Sequence, residues 1–157
     1  MPVAPWVRLD DQLCFALYAA TNAVTRAYRP LLRDIRLSYP QYLALMVLWE
    51  EDGLSVSEIA ARLDLPGNAL TPLLARLTQL GYVARARDGA DGRVLRIGLT
   101  ELGAELEHKA AAVQHQVVCS TGLDEESLAA LRTRLHDLVD SMRAPAACDR
   151  PAEGDAP

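Results

Sequence analysis

At Gly81 the spacing of apolar residues changes, and the segments on either side of that glycine restrict the fold more than any other feature of the chain. Upstream, Ile59, Ala60 and Leu63 recur at helical spacing, and Leu70, Leu73, Leu74 and Leu77 do so again beyond a tight turn of Asp64, Leu65, Pro66 and Gly67. Ser55 is placed to cap the first helix, with Glu58 as its partner three residues on. The second helix is predicted over about 67–80, and Gly81 stops it. Downstream, 82–87 and 94–99 read as short strands around the turn-forming loop 88–92. A short helix, a tight turn, a second helix and a hairpin make a winged helix-turn-helix. The other reading of this pattern is a helical bundle with an incidental hairpin.

Longer helices flank this lobe. Asp10 and Asp11 are placed to cap a helix to about Asp34, with Leu13, Ala16, Leu17, Ala20, Val24, Ala27 and Leu31 on one stripe. Pro30 is expected to kink its last turn. Ser38 or Tyr39 opens another helix with Pro40 in its first turn and Leu43, Val47 and Leu48 inward, ended by Asp52 and Gly53. Thr100 caps a long helix to about Ser120, which Thr121 and Gly122 break. Asp124 caps the last helix, to about Met142, with Leu128, Leu131, Leu135 and Leu138 inward.

The fold class is therefore mainly α with a β wing. One domain is expected over 9–143, with the winged lobe at about 54–99 and long helices at about 10–35 and 100–143. Residues 1–8 and 144–157 read as tails, the second without periodic apolar pattern and expected to be disordered. The outer helices carry apolar stripes that little else in the chain can cover. That implies a two-fold homodimer, which would space two recognition helices roughly 34–36 Å apart.

Composition sets outer limits. Apolar residues make up 50% of the chain, enough for a core without disulfides or a structural metal. No apolar run approaches the roughly 18–20 residues needed to span a bilayer, and 1–9 lack a signal-peptide pattern. A cytoplasmic protein without a membrane partner is expected. The net charge is −5, but residues 54–98 carry six Arg against four acids, so the winged lobe is the one basic third. Cys14, Cys119 and Cys148 show no CxxC or Cys/His metal spacing, so neither metal nor cofactor is expected.

In a winged helix-turn-helix the second helix enters the major groove of double-stranded DNA. Asn68, Ala69, Thr71, Pro72 and Arg76 lie on its early or polar part. Asn68 can read adenine and Thr71 can meet a thymine methyl or a phosphate, while Arg76 reaches for backbone. Pro72 is read as early enough in the helix to be tolerated. Arg93, just past the wing tip, suits a narrow minor groove, and Asp91 is placed to pair with Arg93 or Arg87. Arg93→Ala is expected to lose binding to the cognate site, measured at moderate salt, without unfolding.

The strings SVSEIAARL (55–63), LTPLLARL (70–77), GYV (81–83), DGR (91–93) and LTELG (99–103) resemble the MarR family. The resemblance spans about residues 9–143 and implies dimeric winged-helix regulators, usually repressors. LCFALY (13–18), TRAYRPLL (25–32) and YPQY (39–42) resemble its organic-hydroperoxide-sensing branch, the OhrR proteins. That resemblance implies that Cys14 is a peroxide-reactive thiol, hydrogen-bonded by Tyr28 and Tyr39, and that Cys119 is a resolving thiol. The turn LPGNAL (65–70) and Gly92 depart from the branch, which bears on the operator sequence and the wing.

Physical chemistry supports a thiol role. Cys14 falls in the first turn of its helix, where unpaired N–H groups favour an anionic sulfur, the form that attacks a peroxide. The alternative is a small apolar core residue. Tyr28 follows 14 residues later, roughly 21 Å along one helix, so the two can meet only across a dimer. A Cys14–Cys119 disulfide would by the same logic join two subunits. Phe15, Tyr18 and Tyr42 are placed to line an approach for an organic hydroperoxide, the implied inducer. Cys148 is given no role. Three alternatives stay open: a helical interaction protein that binds no DNA, a regulator answering a phenolic or anionic ligand in the cleft between the outer helices and the winged lobe, and a thiol peroxidase using Cys14. The peroxidase reading lacks a catalytic His or acid in an identifiable motif, so a non-enzyme is expected.

Overall fold

The computed structural model describes residues 8–87 and 94–143. In chain order the elements are α1 (Leu13–Arg33), α2 (Tyr39–Glu50), β1 (Leu54–Ser55), α3 (Val56–Arg62), α4 (Gly67–Gln79), β2 (Val83–Arg87), β3 (Leu95–Leu99), α5 (Glu101–Ser120) and α6 (Glu125–Arg143). The chain divides into two compact units, 1–117 and 118–157, with the boundary inside α5. The expected winged helix-turn-helix is present: α3, a tight turn, α4, and the antiparallel pair β2–β3.

The first unit is built on a continuous apolar core. Leu45, Leu48, Ile59, Leu70, Leu74, Leu77 and Ile97 are fully buried, as is Tyr42. Burying each such leucine or isoleucine stabilises the lobe by roughly 1.5–3 kcal/mol. The three-stranded sheet has the order β1-β3-β2. Ile97 faces Arg85 on one side and Leu54 on the other. Ile97 lies in the core, while Leu95, on the same face but beside Arg87 near the hairpin loop, is exposed. α2 differs from its flanking helices in being apolar nearly all round, because α1, α3 and α4 all pack on it.

Helix ends follow local chemistry. Ser38 and Gln41 form a reciprocal capping box at α2, as Ser55 and Glu58 do at α3. Thr100 Oγ accepts the Gly103 N–H at the start of α5, and Asp124 accepts the Ser127 N–H at 2.7 Å at the start of α6. α1, α3 and α4 each end in a motif whose last N–H reaches back five residues: Leu37 to Leu32, Leu65 to Ala60 and Tyr82 to Leu77. The penultimate residue of that motif must adopt a left-handed backbone. It is Arg36 (φ 56°), Asp64 (φ 54°) and Gly81 (φ 77°) respectively.

Several expectations are corrected. Asp10 and Asp11 do not cap α1; they close a 3-10 turn over Leu9–Asp11, and Gln12 stands at the N-cap. In α2, Leu45 is buried, while Leu43, expected inward, is half-buried. Pro72 lies in the second turn of α4, where its ring removes the N–H that would have met the Asn68 carbonyl. β1 is an addition: two residues were too short to register as a strand, and pairing with β3 creates it. Residues 88–93, with Asp91 and Arg93, and 144–157, with Cys148, lie outside the described residues.

Candidate nucleic-acid interface and thiol site

The recognition lobe is fixed by polar contacts at the start of α3. Glu58 accepts the Ser55 N–H at 2.7 Å, and Ser55 Oγ accepts the Glu58 N–H at 3.3 Å. Arg96 from β3 donates to the same carboxylate at 3.3 Å and to the Gly53 carbonyl at 3.1 Å. The Ser55 contacts, and less strongly the Arg96 charge, hold the Glu58 carboxyl below its ordinary 4.5. This contribution is present above that value and is lost as pH falls through the lowered one. Asp52 accepts the Leu99 N–H at 2.8 Å, tying the end of α2 to β3. Arg62, in the last turn of α3, pairs with Glu50 and, at 3.6 Å, with Glu51. Exposed pairs of this kind add little stability singly; these two join the last turn of α3 to the end of α2.

With α3 fixed and Leu70, Leu74 and Leu77 buried, α4 presents its other face outward. Asn68, Ala69, Thr71, Pro72 and Arg76 are all exposed on that face. The Thr71 hydroxyl donates to the Gly67 carbonyl at 3.2 Å and Arg76 donates to Gln79 at 3.3 Å. Arg85 and Arg87, two residues apart on β2, are exposed as well. α4 and β2 thus expose amide, hydroxyl and guanidinium groups, the types that read base edges and phosphates.

Cys14 is the second residue of α1 and Cys119 the penultimate residue of α5; both are exposed thiols. Tyr28, Tyr39 and Tyr42 form one aromatic cluster. The Tyr28 ring lies 4.8 Å from Tyr39 and 5.6 Å from Tyr42, and Tyr42 is 6.1 Å from Trp49. α1 is unbroken, so the helical rise separates Cys14 from Tyr28 by about 21 Å. Phe15 is half-buried and Tyr18 is 65% exposed, both at the Cys14 end of α1. Tyr42, expected to line an approach to the thiol, is a core residue whose hydroxyl donates to the Ala110 carbonyl at 3.4 Å.

Burial, then the neighbouring phenols of Tyr42 and Tyr39, pushes the Tyr28 phenol up to about 12 from an ordinary 10.0. Tyr39 and Tyr42 move the same way, chiefly through burial. All three are therefore neutral donors at physiological pH. The unfolded chain ionises them first, so stability falls as pH rises from about 10 toward 12. A tyrosinate absorbance titration should find part of the tyrosine titrating late; if all five ionise together near 10, the cluster is not packed as described.

Some contacts escaped sequence reasoning. The Trp49 indole donates to the Gly103 carbonyl at 3.0 Å, and the Tyr82 hydroxyl to the Ile35 carbonyl at 3.1 Å. Asp52 could have been noticed as an acid at a helix end, but its partner is 47 residues away. Among the described residues, no helix is long and apolar enough to cross a membrane.

Comparison with known proteins agrees with this geometry. A model of the MarR family matches residues 37–94. The chain is 51% identical to the HTH-type transcriptional regulator TtmR of Methylorubrum extorquens over 146 residues, 88% of this chain and 75% of TtmR. It is 38% identical to the organic hydroperoxide resistance transcriptional regulator of Bacillus subtilis over 136 residues, 87% of this chain and 92% of that protein. Among solved structures, reduced AbfR bound to DNA matches with a TM-score of 0.71 at 33% identity, covering 88% of this chain and 98% of that one. AbfR, from Staphylococcus epidermidis, has also been solved with a disulfide formed; that state matches at 0.59 and 34% identity, covering 88% and 92%. The curated relatives are transcriptional regulators and not enzymes. With its winged lobe, its exposed recognition face and these relatives, the chain belongs to the MarR family of DNA-binding transcriptional regulators.

Proposed function

We infer that the chain is a homodimeric repressor that senses organic hydroperoxides through Cys14 and leaves its operator when that thiol is oxidised. The observation that carries this reading is the separation along α1. An exposed thiol stands at one end and a cluster of neutral tyrosines at the other, and only a second subunit can bring them together. The name of the Bacillus subtilis relative and the disulfide recorded for AbfR support the same chemistry.

The Cys14 thiolate attacks one peroxide oxygen. An S–O bond forms, the O–O bond breaks, and the departing alkoxide takes a proton to leave as an alcohol. Tyr28 and Tyr39 of the other subunit are suited to donate hydrogen bonds to the developing charge because their phenols stay protonated. The thiol of Cys119 then attacks the sulfenic sulfur, forming a disulfide and releasing water. Strain in the outer helices changes the spacing of the two recognition helices, and the operator is lost.

Dimerisation is supported by uncovered apolar side chains. On α1, Leu13 is 59% exposed, and α6 buries none of its residues while showing Leu131, Leu135, Val139 and Met142 at helical spacing. Leu131→Glu with Leu135→Glu is expected to halve the apparent mass in light scattering; an unchanged dimer would move the interface elsewhere. On the DNA side, Asn68→Ala should weaken operator binding by about 1–3 kcal/mol while leaving non-specific binding unchanged. Arg76→Ala should weaken both and flatten the salt dependence.

Non-reducing gel electrophoresis after an alkyl hydroperoxide tests the pairing. A dimer-sized band is expected in wild type and in Cys148→Ser, and none in Cys119→Ser. A band that survives in Cys119→Ser rules this pairing out.

A further inference from the structure

The outward face of α4 is polar at both ends and apolar in the middle. Pro72 lies at its centre, one turn after Asn68 and one turn before Arg76, and all three are exposed. Ala69 and Thr71, exposed as well, flank Pro72 on either side. Asn68 carries its amide at the N-terminal end. At the other end Arg76 donates to Gln79 at 3.3 Å. Between these ends the surface offers a methyl group, a pyrrolidine ring and the threonine side chain.

The threonine hydroxyl is turned inward. Thr71 Oγ donates to the Gly67 carbonyl at 3.2 Å, so its proton is engaged within the helix. An ionised phosphate oxygen only accepts hydrogen bonds, and in this conformation Thr71 has no proton left to donate to it. The Thr71 methyl is what remains for a partner. Pro72 is the more unusual choice. It lies past the first turn of α4, and proline is the least favourable residue inside a helix. It has no N–H and no polar side-chain atom. Being exposed, it fills no space in the core. Its ring is available only to what α4 meets.

We propose that the Pro72 ring and the Thr71 methyl read thymine C5-methyl groups in the operator, which makes Pro72 a residue that determines sequence specificity. The chemistry of the groove leaves one partner. The thymine C5-methyl is the apolar group that base edges present in a major groove; every other feature there is a donor or an acceptor. An apolar ring pressed on one of those would leave it without a hydrogen bond. The proposal rests on α4 as the helix that enters the groove, and not on peroxide sensing.

The test uses the full chain, kept reduced, and the duplex that it selects from a randomised pool. Each thymine of that duplex is replaced in turn by deoxyuracil, which lacks only the methyl group. Affinity is read by fluorescence anisotropy at one fixed salt concentration. For wild type, at least one thymine in each half-site is expected to lose about fourfold in affinity on replacement, as the burial of one methyl group implies. Pro72→Ala, whose side chain is shorter than the ring, should remove that difference. Thr71→Ser keeps the hydroxyl and deletes only the methyl, and it should shrink the difference at the same thymine or its neighbour. Each variant is compared with itself on the two duplexes, so a general loss of affinity cancels. Pro72→Ala should also melt no lower than wild type, since alanine is the best helix former. A wild type indifferent to every replacement overturns the proposal, as does a difference that both variants leave unchanged. If Asn68→Ala binds the selected duplex as well as wild type does, α4 is not in the groove, and the proposal falls with that placement.

Discussion

Gly103→Ala should cost the fold about 3 kcal/mol or more, since this is the tightest Cβ position among the described glycines. A Cβ at this position would lie inside the van der Waals radius of the Tyr82 carbonyl oxygen, 2.9 Å from its carbonyl carbon and 3.3 Å from the Leu99 side chain. The Leu99 side chain can shift, but the Tyr82 backbone cannot yield cheaply. The Tyr82 carbonyl accepts the Thr100 N–H at 3.1 Å, and the Tyr82 N–H is held by Leu77 at 3.0 Å. The Gly103 carbonyl itself accepts from Trp49. α5 would have to move off the sheet, breaking the contact between its first turn and the winged lobe. Urea denaturation should show the midpoint falling at unchanged slope. Gly67→Ala is the control: a Cβ there meets nothing within 4 Å, and the change should stay within about 1 kcal/mol. Comparable losses in both variants would mean that α5 does not sit this close to Tyr82.

Cys14→Ser should leave operator affinity near wild type and abolish release by organic hydroperoxide. Serine keeps the volume of the side chain at an exposed position, so the fold has little reason to change. Its hydroxyl has no accessible anionic form near neutral pH and cannot displace an alcohol from a peroxide. Fluorescence anisotropy of an operator complex, titrated with cumene hydroperoxide, reads both properties in one experiment. Release of the Cys14→Ser complex at the same peroxide concentration as wild type would remove the thiol from the mechanism. Cys119→Ser separates the two oxidation steps: it should still consume peroxide at Cys14 but form no cross-linked dimer.

The parts of the fold that were legible in the sequence are those set by contacts between near neighbours. Ser55 and Glu58 are three residues apart, and so are Asp124 and Ser127; each cap forms from groups a helix brings together by itself. The strands 82–87 and 94–99 were readable because a period of two and a turn-rich loop are local signals, and they differ from β2 and β3 by one residue at their start. Asp10 and Asp11 misled because an acid before an apolar stripe matches a cap in composition, whereas the 3-10 turn depends on the path of the chain into α1. Arg36 and Asp64 gave no warning, since the left-handed turns they occupy are usually glycine. Tyr42 read as a candidate lining residue because its hydroxyl partner, Ala110, is 68 residues away.

By itself the sequence determined the winged helix-turn-helix, the exposed polar face of α4 and the position of Cys14 at the start of a long helix. Helical period, caps and breakers act within a few residues, and the family strings add the regulator class. Only the tertiary structure decided that Gly103 must be a glycine and that three tyrosines from two helices share one cluster. Each of these depends on how closely separate elements approach, which is set by packing across the whole core and is written in no single stretch of chain.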